Sequence, residues 1–183
     1  MPVISNPGSV SRLAVARPAA ELLPSYLEFI EEMRVLGETI WPSRLALADE
    51  RPDAFIRRLL LKQTAPEPPL VPESVHWGVI DGGVVGFIAL RHRLSERLAL
   101  FGGHVGYEVR PSCRRQGVAT EMLRLLLTTA AAREIGRILV TCAPANAASR
   151  RVIEANGGVL AGIVFADEVN RETCHYWIDV PRE

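Results

Sequence analysis

Apolar positions along the chain change their period partway through. Over residues 21–37 they recur every three or four positions, at Leu23, Tyr26, Leu27, Ile30 and Met33, with Glu31, Glu32 and Arg34 between them. That spacing predicts an amphipathic helix with its charged side in water. Residues 10–16 alternate and predict a short strand ahead of it. A second helix is predicted over 52–62, with Pro52 suited to its first turn and Phe55, Ile56, Leu59 and Leu60 on its buried side. Pro66, Pro68, Pro69 and Pro72 make residues 64–72 a stiff loop.

Past that loop the period falls towards two. Residues 75–80 and 84–92 predict strands joined through Asp81-Gly82-Gly83, a tight-turn sequence. Residues 94–100 read as a charged connection, and 104–109 as a strand stopped by Pro111. A helix is predicted over 117–133, with Ala119, Met122, Leu123, Leu126, Leu127 and Ala130 on an apolar face that Leu125 widens. A face that wide packs on a sheet. A strand at 138–142, a helix at 146–154 capped by Asn146 and stopped at Gly157, and strands at 159–165 and 173–180 complete the pattern. The pattern predicts one domain over 1–183, with a strand and helices at 10–62 and a core at about 75–180.

Composition narrows the function classes. Lysine plus arginine and aspartate plus glutamate both number 21 in 183 residues, so the formal charge is zero. Without a basic excess to neutralise phosphates, bulk nucleic-acid binding is disfavoured. The three cysteines, Cys113, Cys142 and Cys174, form neither a disulfide framework nor a zinc-spaced cluster, so no metal is expected. The first residues lack a basic and then apolar leader, and no apolar run approaches the ~20 residues that span a bilayer. A cytoplasmic chain without membrane contact is expected.

The chemistry-bearing segment runs from Val109 through Arg110, Pro111, Ser112, Cys113, Arg114, Arg115, Gln116, Gly117, Val118 and Ala119 to Thr120. A strand ends, a basic loop follows, and a helix opens at a glycine. The first N–H groups of a helix lack intrahelical partners and, with the macrodipole, favour an anion. Gly117 and Ala119 let a diphosphate approach the backbone, and Arg114 and Arg115 add positive charge. The same junction also serves proteins that bind nothing. It matches neither a Walker A loop nor G-x-G-x-x-G.

Arg114-x-x-Gly117-x-Ala119 resembles the Arg/Gln-x-x-Gly-x-Gly/Ala motif of the GNAT superfamily of N-acetyltransferases. The strand ending at Val109-Arg110-Pro111 is similar too, as is the later segment from Thr141 through Asn146 and Ser149 to Asn156-Gly157-Gly158. The resemblance implies an α+β three-layer fold. Its central mixed, mostly antiparallel sheet would splay, after a bulge, into a cofactor slot, with helices on both faces. It implies acetyl-CoA as cosubstrate, an amine of a small molecule or protein as acceptor, and direct transfer between them; a homodimer is left open. The amides of Gln116, Gly117, Val118, Ala119 and Thr120 would bind the diphosphate, with Arg114 and Arg115 nearby. The backbone at Val109 would bind the pantetheine arm and offer an oxyanion donor. Asn146 would reach the pantetheine, with Ser149 close by, or serve as a plain helix cap.

Glu108 is the first candidate for the base that deprotonates the amine. Strand alternation puts His104, Gly106 and Glu108 on one face and Val105, Tyr107 and Val109 on the other. Glu108 could instead pair with Arg91 or Arg93, and His104 could be a buried, hydrogen-bonded sheet residue. Many relatives carry a thiolate-protonating tyrosine where this chain has Ile153, which leaves Tyr107, Tyr176 or water for that task. The same departure motivates an alternative, an acyl-CoA-binding sensor without turnover. A more distant alternative is an unrelated α/β nucleotide binder. Cys142, His175, Tyr176, Trp41, Trp77 and Trp177 are expected to be structural, and Cys113 a loop cysteine beside two arginines.

Overall fold

The computed structural model describes residues 10–40, 45, 50–66, 69–167 and 170–181. Trp41 and Pro68 lie outside them. The strands are β1 (Ala14–Ala16), β2 (Glu73–Ile80), β3 (Gly83–Arg91), β4 (Val105–Val109), β5 (Arg137–Cys142), β6 (Val159–Ala166) and β7 (Arg171–Asp179). The α-helices are α1 (Leu23–Val35), α2 (Pro52–Leu61), α3 (Glu96–Leu100), α4 (Val118–Leu127), α5 (Ala130–Ile135) and α6 (Ala147–Ala155). The result is an α+β fold with two antiparallel sheets, ordered β1-β2-β3-β4 and β5-β7-β6.

Helices cover both faces of the first sheet. Tyr26, Phe29 and Met33 of α1 and Phe55 and Leu59 of α2 pack on Val75, Trp77, Val84 and Phe87. Trp77 stacks on Tyr26 with ring centroids 4.4 Å apart. On the other face Met122, Leu123 and Leu126 of α4 meet Val85, Ile88 and Leu90, and Ile138, Val140, Tyr176 and Ile178 of the second sheet join the same core. Each such side chain, fully buried, is worth about 1.5–3 kcal/mol.

Alternation alone does not put Val84 and Val85 in those clusters. Gly78 faces Gly86 and Val79 faces Val84, so Val85 is an extra residue in β3. This bulge reverses the side-chain parity for the strand beyond it. The facing pair Gly78 and Gly86 admits Met122, since a Cβ on either would lie 2.5 or 2.7 Å from its side chain.

Three expected elements differ. Residues 10–12 form a 3₁₀ turn, so only 14–16 remain a strand. The connection at 94–100 contains α3, capped by Ser95, which accepts a hydrogen bond from Leu98 N–H. The long helix over 117–133 is broken at Thr128 and Thr129. Their hydroxyls donate to Leu125 O and Leu126 O, and Thr129 caps α5 by accepting from Ala132 N–H. Threonine hydroxyls compete with the helix's own bonds, and the second one starts a new helix.

The two sheets meet without a shared ladder. Next to β4, His104 N–H donates to Leu139 O at 2.7 Å and Leu139 N–H donates to His104 Nδ1 at 2.9 Å. Gly102 N–H reaches Thr141 Oγ1 at 2.9 Å. Beyond this stitch β4 and β5 part. The β3–β4 register is unbroken from Gly86↔Val109 to Leu90↔Val105, so the parting follows no bulge in β4.

Gly103 holds φ +60°, and a Cβ there would lie 2.5 Å from Leu139 O. Gly103→Ala is therefore expected to destabilise the fold by about 2–3 kcal/mol. That corresponds to a thermal midpoint roughly 4–12 °C lower by calorimetry.

Candidate functional site

A groove of about 1620 Å³ runs from the loop before α4, through the gap between β4 and β5, to α3 and the proline-rich loop. The backbone of β4 is one wall. Arg110 N–H donates to Val85 O and Arg91 N–H to His104 O. Antiparallel partners alternate between bonded and non-bonded pairs. The N–H and C=O groups of Glu108 and Gly106 therefore face β3, while those of Val105, Tyr107 and Val109 face the gap. They form an open strand edge, able to take an extended ligand as one more strand.

Side chains follow the expected alternation. Glu108 stands opposite Phe87, a residue of the α1–α2 core, and so shares that face. Tyr107 points the other way, and its hydroxyl lies 2.7 Å from Ser149 Oγ in the first turn of α6. Burial pushes the Tyr107 phenol up to about 12, against the opposing pull of the Ser149 hydrogen bond. It stays protonated.

At the end of the groove nearest α4, Gly117 caps the helix with φ 83°. Arg115 is also left-handed, at φ 60°. The first intrahelical bond here is Glu121 N–H to Gly117 O, so the N–H groups of Val118, Ala119 and Thr120 have no acceptor within the helix. Arg115, Gly117, Val118, Ala119 and Thr120 all line the groove. Gln116 does not; its side-chain amide donates to Ser112 O at 3.4 Å.

Arg114 lines the groove and is also paired within the protein. Both its terminal nitrogens bind Glu38 at 2.6 Å, and its Nε donates to Val109 O at 3.0 Å. It fastens the loop to the strand and to the end of α1, so its charge is already matched. Hydrogen bonds from Arg114 hold the Glu38 carboxyl below its ordinary value, outweighing burial.

Glu32 was expected on the wet face of α1, yet it anchors the same loop. It accepts from Arg110 Nε at 2.7 Å, Ser112 N–H at 3.1 Å and Ser112 Oγ at 3.2 Å. Glu28 accepts from Arg110 Nη2 at 3.2 Å. Burial pushes the Glu32 carboxyl up, but the bonds from Arg110 and Ser112 outweigh it and leave the group below its ordinary value. Glu28 and Glu32 sit one helical turn apart, facing the basic loop, and that spacing is the signal sequence reading passed over.

Asn146 Oδ1 accepts from Ser149 N–H at 3.0 Å, an ordinary helix cap, while Asn146 and Ser149 both line the groove. Asn156 ties the end of α6 to α4 by donating to Thr120 O at 3.2 Å. Arg91 donates to Gly102 O and Gly103 O and lies 3.6 Å from Glu73. Ile153 is fully buried in the core. Tyr176 is outside the groove, donating to Glu154 and accepting from Arg150. Cys113 is buried rather than a solvent-exposed loop residue, and burial pushes its thiol up, away from activation. Among the described residues no His/Cys/Asp/Glu group could hold a metal, and no helix is long and apolar enough to cross a membrane.

His104 is not brought to the groove. Its Nδ1 accepts from Leu139 N–H, its side chain is buried, and it lies outside the lining. The structural alternative fits it.

The profile of the acetyltransferase (GNAT) domain matches residues 12–159. Among solved structures, the microcin C7 self-immunity acetyltransferase MccE, in complex with acetyl-CoA and AMP, is 14% identical. The match covers 92% of this chain and 93% of that one, with a TM-score of 0.68. RimL, a ribosomal L7/L12 alpha-N-protein acetyltransferase in complex with coenzyme A, is 17% identical over 100% and 98% of the two chains, with a TM-score of 0.67. RimJ of Mycobacterium smegmatis, in complex with CoA-disulfide, is 18% identical over 91% and 81%, with a TM-score of 0.65. No curated protein matches significantly. At such identities the structural likeness establishes the fold.

Burial lowers the His104 pKa from 6.5 to about 4, with the Arg91 charge adding to the effect. The unfolded chain therefore takes up this proton first as pH falls. Stability contributed by neutral His104 is intact above about pH 6.5 and is lost towards pH 4, by up to about 3 kcal/mol. His104→Asn, which keeps an acceptor for Leu139 N–H, should flatten this decline in thermal unfolding measured across that range.

Proposed function

The chain belongs to the GNAT acetyltransferase family, and from that premise we propose that it transfers the acetyl group of acetyl-CoA to a primary amine. The observation that carries this reading is the half-paired strand β4. Its open edge leads, within one groove, to the first N–H groups of α4, which have no acceptor within the helix.

The groove suits a long ligand with a diphosphate at one end. Gly117 and Ala119 keep bulk away from the helix mouth, where the Val118, Ala119 and Thr120 amides and the Arg115 charge favour an anion. The Gln116 amide belongs to the same turn. The edge groups of Val109 and Tyr107 offer hydrogen bonds to an extended arm. Asn146 and Ser149 flank the arm's far side. Acetyl-CoA supplies the acetyl group as a thioester, already activated for transfer.

The residues divide the remaining work. A lysine-like amine has a pKa near 10.4 and a chain-terminal amine near 8, so a proton must leave before attack. Glu108 stands on the acceptor face of β4 and takes that proton, directly or through water. Val109 N–H, turned into the gap, donates to the carbonyl oxygen as charge develops there. The paired hydroxyls of Ser149 and Tyr107 hold a proton for the departing sulfur, the task performed by a tyrosine in many relatives. Three unpaired thiols are consistent with a reducing, cytoplasmic location.

Two substitutions test the two halves of this assignment. Ala119→Glu puts negative charge at the helix mouth without the left-handed strain that Gly117→Glu would add. It should weaken acetyl-CoA binding at least 100-fold by calorimetry while the fold stays intact; unchanged affinity would remove the proposed site. Glu108→Gln should leave that affinity alone and lower kcat by about 10²–10⁴, read by free-thiol release over an amine panel.

A further inference from the structure

β6 closes the second sheet, in the order β5-β7-β6, and its outer side pairs with no strand among the described residues. Its sequence, Val-Leu-Ala-Gly-Ile-Val-Phe-Ala, holds neither a charge nor a proline over residues 159–166. Exposed edges usually carry one or the other, because a bare edge invites another strand. Leu160 faces Tyr176 and Gly162 faces His175, so Ala161 is an extra residue and 162–166 run on in regular register.

The direction of the β6 backbone follows from the strands inside it. Val180 N–H donates to Gly136 O at 2.7 Å, which makes them a bonded pair just beyond the β5–β7 ladder. Bonded pairs recur at every second residue. Cys174 and Tyr176 therefore turn their backbone groups to β5, while Thr173 and His175 turn theirs to β6. Opposite them, Val164 and Gly162 bond to β7, which leaves the N–H and C=O groups of Ile163 and Phe165 pointing outward.

Side chains add an apolar surface at the same edge. Leu160, Ile163 and Phe165 stand opposite Tyr176, Cys174 and Glu172, alternate residues of β7, and so share one face. They are 44%, 54% and 53% exposed, and Val159, on the other face, is 70% exposed. No residue of β6 lines the groove, so acetyl transfer gives this surface no task.

A second copy of the chain fits the edge. Run antiparallel about Val164, β6 sets Ile163 against Phe165 of the second copy, Phe165 against its Ile163, and Val164 against its own mate. Ile163 and Phe165 are the residues with outward backbone groups, so each of these pairs closes with two hydrogen bonds. A β-branched side chain opposite an aromatic one is a favourable cross-strand pair. The contact uses the same patch on both chains and closes on itself. A formal charge of zero spares two copies the long-range repulsion that charged chains feel. Covering both β6 strands removes on the order of 1,000 Å² from water, the size at which an interface becomes specific.

We propose that the protein is a two-fold dimer in which β6 pairs antiparallel with β6 of a second copy. The two three-stranded sheets then join into one of six strands. The dimer stands apart from the transferase reading.

Sedimentation velocity of the full chain should give twice the chain mass at about 10 μM and above. The thermal midpoint should rise with protein concentration, as mass action requires. Ile163→Lys and Phe165→Lys, both at exposed positions, should each give a monomer that still unfolds cooperatively. Val164→Cys brings two Cα atoms to about 4.5 Å, a non-bonded pair within reach of a disulfide. Oxidised glutathione should link this variant into a covalent dimer and leave Glu31→Cys, exposed on α1, unlinked. If a lysine variant does not fold, the Val164→Cys linkage decides alone. A chain that stays monomeric overturns the inference and leaves the edge to a different protein. So does a dimer that survives both lysine substitutions, or one in which Val164→Cys does not link, since the copies then meet elsewhere or in another register.

Discussion

The backbone of β4 pairs with another strand on one side only, and the site depends on that constraint. Each buried N–H and C=O must find a partner, so a strand between two others normally spends both its edges. Here β3 takes one edge, while β5 turns to β7 after a single stitch at His104 and Leu139. The other edge, carrying the backbone groups of Val105, Tyr107 and Val109, faces the groove. Arg114 Nε already uses the carbonyl of Val109, which shows how strongly such an edge attracts donors.

Keeping the gap open requires rigid walls. The α1–α2 core, centred on the Tyr26–Trp77 stack, holds one face of β2 and β3, and α4 holds the other through the space left by Gly78 and Gly86. At the closed end Gly103 passes so near Leu139 that no side chain fits. At the open end α1 reaches across with Glu28, Glu32 and, just beyond it, Glu38, and grips Arg110, Ser112 and Arg114. The loop before α4 is thus held by ion pairs, which leaves its amides oriented before any ligand arrives. Preorganised donors lose less on binding and at the transition state than mobile ones.

Charge is distributed unevenly along this path. The first amides of α4 and Arg115 gather at the helix mouth, and Glu108 stands at the centre. The hydroxyls of Tyr107 and Ser149 pair with each other on the α6 side.

Much of the architecture was legible in the sequence because local patterning decides it. The helical period of 21–37, the Asp81-Gly82-Gly83 turn, the parity of 104–109 and the glycine at the mouth of α4 each depend on neighbours within a few residues. Sequence also singled out the loop from Val109 to Thr120, which the fold places at one end of the groove. It could not show that Arg114 is neutralised by Glu38, that Glu32 is an anchor rather than a wet-face residue, or that His104 is bound to Leu139. Those outcomes join residues 35 to 80 positions apart, and only the packing of α1 on β3 and of β5 beside β4 brings them together. Periodicity reports which face of an element is apolar; which charge meets which across the fold is decided by tertiary geometry.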